Sequence, residues 1–234
     1  MGSYLTGINT FGPYDFGTGL DLDPLAKDLL FRLFGTSPGS SSGVLGGRAG
    51  PVLADIPGVG AVVVKHYRRG GVIRHLIKDQ YFGLGKSRSR REYEMLETVR
   101  SIGVSSPEPL VWAVRGRLVY RAFLVTRMID GARPLSNVED WDEGSCRTAV
   151  EKTAGQIRRL IEHRIHHVDL HPGNVLVDGG GRVHIIDFDK ARRVPWRREK
   201  LRAVYVQRWQ RAVVKYSLPV FMTDHLIKDL GLSC

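Results

Sequence analysis

Cysteine is nearly absent from these 234 residues, with only Cys146 and Cys234 present. Two cysteines do not make a disulfide framework, and the chain suits a reducing compartment. Long apolar runs are missing too. Nothing approaches the ~18 uninterrupted apolar residues of a spanning helix, so no segment is expected to cross a membrane. The N-terminal MGSYLTGINTFG lacks a basic leader and an apolar stretch, so no secretory signal is expected. Acidic residues are also scarce, 24 against 35 lysines and arginines, for a net charge of +11. The imbalance is local: Lys190 to Lys215 holds ten basic residues and one acid, a net +9. Lys65 to Arg91 holds nine and one, a net +8. Two such zones point to an anionic partner: a nucleic acid, a phosphorylated small molecule or an anionic membrane face. Few aromatics interleave the first zone, so base stacking, and with it nucleic acid, is not expected.

What is present is ordinary for a soluble globular chain, 42% hydrophobic and 25% charged, and long enough for one large domain or two lobes. In the first 42 residues, DPLAKDLLFRLFG has helical spacing between an acidic cap and a closing glycine, and GTSPGSSSG reads as a linker. PVLADI and AVVVK read as strands around a PGVG turn, and PLVWAVRGRLVYRAFLVTRMI as two more around an RG turn. Met95, Leu96, Val99 and Ile102 recur at helical steps in SRSRREYEMLETVRSI, as do Val150, Ala154, Ile157, Leu160 and Ile161 between Cys146 and His163. NVLVD and RVHIIDF read as a hairpin about a GGG turn, followed by a basic helix. The order predicts an α+β chain, strand-rich in its first half.

The chemistry concentrates in HHVDLHPGNVLVD, residues 166–178. His167 and His171 are four apart, a spacing that helical zinc ligands use, but Pro172 and Gly173 oppose the helix such a site needs. The spacing His167-x-Asp169-x-x-x-x-Asn174 matches instead a phosphotransfer loop, with an aspartate base and an asparagine ligand for magnesium. That reading requires a second metal-binding aspartate after a following strand, and IIDFD supplies Asp187. It also requires a strand lysine paired with a helical glutamate. AVVVK offers Lys65, and EYEML offers Glu92, with Glu94 as a competitor. The glycines Gly47 and Gly50 of GGRAG either cover phosphates or form a plain hairpin turn.

HVDLHPGN…IIDFD, together with KHYRRGG at Lys65–Gly71 and the basic stretch to SRSRREYEML, resembles the lipopolysaccharide kinase family across roughly residues 44 to 215. The resemblance is closest to its branch acting on 3-deoxy-D-manno-octulosonic acid (Kdo). It implies a bilobal, protein-kinase-like α+β fold: an N-terminal extension and linker over residues 1–42, a strand-rich N-lobe over 43–129 and a reduced helical C-lobe over 130–234. It implies transfer of the ATP γ-phosphate to a Kdo hydroxyl on a lipid A precursor, with a core heptose as the alternative acceptor. A non-catalytic kinase-like module binding an anionic membrane or a nucleic acid is the rival class. Asp169 is then the base, Asn174 and Asp187 hold Mg²⁺, and Lys65 with Glu92 orients the phosphates under the Gly47–Gly50 turn. Arg68 and Arg69 contact the acidic acceptor or merely shape their turn. His167 buttresses the loop. The 47 residues after Asp187 lack an APE anchor and leave little room for a peptide-binding lobe. WRREKLRAVYVQRWQRAVVKY either packs its apolar face on the C-lobe or inserts it, its charges meeting an anionic membrane in both cases. The expected setting is cytoplasmic, a monomer peripheral to the inner membrane of a Gram-negative-type cell.

Overall fold

The computed structural model describes residues 7–35, 51–67, 81–82, 86–116 and 119–231. They form two compact units, Met1–Glu94 with Glu108–Met128, and Met95–Pro107 with Ile129–Cys234.

The first unit is an antiparallel sheet. β1 (Asn9–Phe11) and β2 (Tyr14–Thr18) make a hairpin, followed by α1 (Pro24–Gly35), β3 (Val52–Ile56), β4 (Gly60–His66) and β5 (Tyr81–Phe82). After α2 (Arg88–Ser101), β6 (Pro109–Arg115) and β7 (Val119–Arg127) complete it in the order β1-β2-β6-β7-β4-β3, with β5 also paired to β7. Asp23 caps α1, its Oδ1 accepting the Ala26 N–H at 2.8 Å, and Pro24 occupies the first turn, where it lacks nothing the helix needs.

Residues 9–35 are therefore not a mere extension. β2 pairs with β6, and an aromatic cluster from β1, β2 and α1 belongs to the sheet's core. Phe31 stacks on Phe11 with centroids 4.8 Å apart and meets Phe16 edge-on at 5.1 Å. Tyr14 and Phe34 both reach Phe123 of β7. Burial of aromatics on this scale requires the segment to fold with the sheet. Gly17 is dictated by the same pairing, because a Cβ there would stand 2.4 Å from the Trp112 indole nitrogen. The boundaries shift accordingly: residues 95–107 group with the second unit, which the sequence reading placed in the N-lobe.

The second unit is mostly helical. β8 (Arg133–Pro134) precedes α3 (Glu143–Glu162), whose N-cap Asp142 accepts from the Ser145 N–H. The expected apolar face of α3 is buried, with Val150, Ala154, Ile157 and Leu160 fully inaccessible. Then come β9 (Ile165–His166), a 3-10 turn (Pro172–Asn174), β10 (Val175–Val177), β11 (Val183–Ile185) and β12 (Arg192–Arg193). α4 (Arg198–Lys215) and α5 (Phe221–Asp229) finish the unit and pack with α3. Leu201, Tyr205, Trp209, Ala212 and Val213 are all buried, so the apolar face of α4 is packed rather than offered for insertion. The β10–β11 turn is tied by Asp178, which accepts from the Gly180 and Arg182 N–H groups and meets His184 Nε2 at 3.1 Å; Ser105 Oγ lies 2.8 Å from His184 Nδ1. No described helix is long and apolar enough to span a membrane.

Replacing Phe31, 5% exposed and in contact with four aromatic rings, with alanine is expected to destabilise the protein by about 3–5 kcal/mol in urea unfolding. A loss below about 1 kcal/mol would show that residues 9–35 are not part of the core.

Candidate active site

In the first unit, β4 carries Lys65 and α2 carries Glu92. The ammonium donates to both carboxylate oxygens of Glu92, at 3.1 and 2.9 Å. Glu92 is only 3% exposed, and the Tyr67 hydroxyl donates to its Oε2 as well. A carboxylate buried this deeply is tolerable only with such partners. Lys65 Nζ and the Arg88 guanidinium lie 5.1 and 5.3 Å from the Tyr67 ring centroid, within cation–π range. Glu94, the competitor on the same helix, points elsewhere and pairs with Lys86 at 2.8 Å and Arg90 at 3.0 Å. Gly47, Gly50, Arg68 and Arg69 lie outside the described residues.

In the second unit, Arg164 adopts a left-handed φ of 55° after α3 and turns the chain into β9. Tyr205 of α4 reaches that strand. Its hydroxyl donates to the Ile165 carbonyl at 2.7 Å and accepts the His167 N–H at 2.9 Å. His167 is buried; its Nε2–H donates to the Ile186 carbonyl at 2.9 Å, and its ring packs on Phe188 with centroids 4.6 Å apart. Burial pushes this imidazole down to about 4, so it is neutral at physiological pH. Asn174 Nδ2 donates to the Asp169 carbonyl at 2.9 Å, and the Asn174 carbonyl accepts the Ile186 N–H at 3.0 Å. Asp187 follows directly, exposed and left-handed at φ 64°. Asp169, Asn174 and Asp187 are thus held on one hydrogen-bonded loop and strand end.

The Asp169 carboxylate has a partner that the sequence reading did not identify. Arg208 of α4 donates to its Oδ1 from Nε at 3.1 Å, and from Nη2 to the same oxygen. Partial burial alone would raise the Asp169 pKa, but the Arg208 hydrogen bonds and charge outweigh it, so the carboxyl is held below its ordinary value and is ionised at neutral pH. The other histidines have separate employment. His171 Nδ1 accepts the Gly173 N–H at 3.1 Å, and His166 packs against Trp196 with centroids 4.9 Å apart. Among the described residues no three His, Cys, Asp or Glu side chains are grouped to hold a metal ion.

A profile of the lipopolysaccharide kinase (Kdo/WaaP) family matches residues 50–221. The chain belongs to that family. A 3-deoxy-D-manno-octulosonic acid kinase of Vibrio parahaemolyticus is 30% identical over 180 residues, covering 73% of this chain and 74% of that protein. One from Vibrio cholerae is 34% identical over 54% of this chain and 55% of its own length. One from Stenotrophomonas maltophilia is 34% identical over 67% and 65%. The chain thus spans from about half to three quarters of the length of these relatives. Among solved structures, the kinase PK-1 of the Cydia pomonella granulovirus is similar at a TM-score of 0.43 and 15% identity, over 61% of this chain and 48% of that one, too slight a likeness to assign a fold. The family match takes in Lys65, Glu92, Asp169, Asn174, Asp187 and Arg208; Gly47 precedes it, as do β1, β2 and α1.

The kinase has three residues at these centres that the sequence reading passed over: Tyr67, Tyr205 and Arg208. Tyr205 and Arg208 are three apart on α4, and His167 and Asp169 two apart on the loop, so one helix face serves both contacts. That spacing was readable; its partner was not.

Neutral His167 makes stability depend on pH. Unfolded, the ring takes up a proton near its model value of 6.5, whereas in the folded kinase it does so only near 4. Its contribution is therefore complete above 6.5 and shrinks as pH falls towards 4. From pH 7.5 to 5 the wild type is expected to lose about 2 kcal/mol more urea stability than His167→Gln, which keeps a donor for Ile186 but cannot titrate. Parallel pH profiles for the two proteins would refute the assignment.

Proposed function

We propose that this protein phosphorylates a Kdo hydroxyl on an anionic lipid A precursor, with ATP as donor, in lipopolysaccharide core biosynthesis at the inner face of the cytoplasmic membrane. The observation that supports the reading best is the family match across Asp169, Asn174 and Asp187, which stand on a loop tied together by His167 and Ile186. Asp169 is the base that accepts the proton of the acceptor hydroxyl. Lys65, fixed by Glu92, orients the ATP phosphates, and Gly47 and Gly50 are the proposed backbone contacts to them. Arg68 and Arg69 are the proposed contacts to the acceptor's anionic groups.

Magnesium fits the donors present. Asp187 offers carboxylate oxygens, and Asn174 commits its amide nitrogen to the Asp169 carbonyl, which leaves its oxygen end for a hard cation. Two protein ligands suit an ion that completes its shell with phosphate oxygens and water. The ion would neutralise the phosphate charge while the chain's own groups position the acceptor and take its proton.

The membrane contact has a candidate surface. Val214, Tyr216 and Val220 are 74%, 48% and 71% exposed in the short stretch from the end of α4 to the start of α5. Exposed Lys215 lies within it and exposed Arg211 one turn before Lys215, and the Tyr216 ring is 6.0 Å from that of His171 in the catalytic loop. Apolar tips among cations suit an anionic bilayer surface, and the neighbouring catalytic loop would meet a sugar held at that surface.

Asp169→Ala is expected to lower phosphate transfer from ATP to purified Kdo–lipid A precursor by about 10³-fold or more, with the KM for ATP little changed. Activity surviving in that variant would remove the base; transfer by wild type to a heptose-bearing core but not to Kdo would move the acceptor. Val214→Ser combined with Val220→Ser should weaken sedimentation with vesicles containing phosphatidylglycerol by about tenfold, without changing urea stability. Unaltered sedimentation would exclude this surface.

A further inference from the structure

Phosphoryl transfer asks a protein chiefly for placement and for positive charge near the transferring group. The stretch Asp169 to Asn174, DLHPGN, contains neither lysine nor arginine. The cation at Asp169 comes instead from α4, 39 positions along the chain. Arg208 directs both Nε and Nη2 to a single carboxylate oxygen, Oδ1. Oδ2 takes no hydrogen bond among the described residues. The arginine is itself well placed: Tyr205, one turn earlier, is bonded to Ile165 and His167, and the neighbouring Trp209 is fully buried with its indole N–H donating to the Met222 carbonyl at 3.2 Å.

We propose that Arg208 is a positioning residue for the base. By gripping Oδ1 it sets the carboxylate rotamer and leaves Oδ2 as the oxygen that meets the acceptor. The acceptor hydroxyl passes its proton to Oδ2 as its oxygen bonds to the γ-phosphorus; the bond from that phosphorus to the bridging oxygen breaks, and its electron pair leaves on ADP. A carboxylate turning freely about χ2 would present either oxygen in many orientations, and most of those encounters would be unproductive. A purely structural role is a poor account of the pair. The side chains of Arg208 and Asp169 are 22% and 44% exposed, and ion pairs so open to water contribute only about 0–1 kcal/mol to stability.

The inference rests on the proposed transfer reaction, so the test measures both transfer to Kdo–lipid A precursor and ATP hydrolysis with water as acceptor. Arg208→Met is expected to reduce kcat by about a hundredfold while the KM for ATP stays within about threefold, and Arg208→Lys to recover about tenfold of that loss. In the Asp169→Ala background, Arg208→Met should cause no further loss, because the arginine acts through the aspartate. A kcat for Arg208→Met within about threefold of wild type, or losses that multiply in the double variant, would overturn the proposal. If wild type hydrolyses ATP but leaves the Kdo acceptor untouched, the acceptor assignment fails alone, and Arg208 is judged by the same ratios in hydrolysis.

Discussion

The peptide at Ile186 holds together the Asp169–Asn174 loop and Asp187 of the second unit. Its N–H donates to the Asn174 carbonyl and its own carbonyl accepts the His167 Nε2–H, so one residue joins the end of the Asp169–Asn174 loop to the base of the Asp187 turn. The arrangement works only if His167 is buried and neutral, with Nε2 as its donor; a charged ring would have to be desolvated against Phe188. Given that bond, Asp187 follows at once, in a left-handed conformation that an aspartate tolerates better than most side chains. Tyr205 then makes the assembly part of α4, since its hydroxyl bridges the residues on either side of His166.

Much of this order was legible along the chain. Helical periodicity placed α2, α3 and α4, and alternation around glycine turns placed β3, β4, β6 and β7, because both patterns are local. The spacing from His167 to Asn174 marked the loop, and the resemblance favoured Glu92 over its competitor Glu94, which the structure pairs with Lys86 and Arg90 instead. The misreadings share a cause. β1, β2 and α1 join the sheet through pairing of Phe16 with Ala113, nearly a hundred residues away, and nothing in GTSPGSSSG signals that the segment before it belongs with the strands after it. The aromatic residues Phe11, Tyr14 and Phe16 around Gly12-Pro13 did spell a hairpin, and their number exceeded what a loose extension needs.

Charge posed the opposite difficulty, since the signal was strong and its meaning was not. Ten basic residues between Lys190 and Lys215 read as a uniform surface. The helix sorts them. Arg208 turns towards Asp169, whereas Arg197, Arg198, Lys200, Arg211 and Lys215 stay exposed. One helix therefore holds the Asp169 loop on one side and displays a cationic surface on another, and its buried Trp209 and Tyr205 fix which residue does which. Composition alone cannot separate these uses, because it carries no helical phase.

The Lys65–Glu92 pair illustrates how burial distinguishes a site from a coincidence. With 35 basic residues, a lysine near the end of a strand carries little information by itself. A glutamate 3% exposed carries more, because the desolvation of a carboxylate is repaid only by close, well-directed donors. Here two groups supply them, the Lys65 ammonium and the Tyr67 hydroxyl. The division matters for the proposed contact of Lys65 with phosphate. The Lys65 side chain remains 34% exposed. When its ammonium shares its donors with an incoming anion, Tyr67 still satisfies one oxygen of the buried glutamate. The unit can thus present a positive charge to a ligand without leaving a negative one stranded behind it.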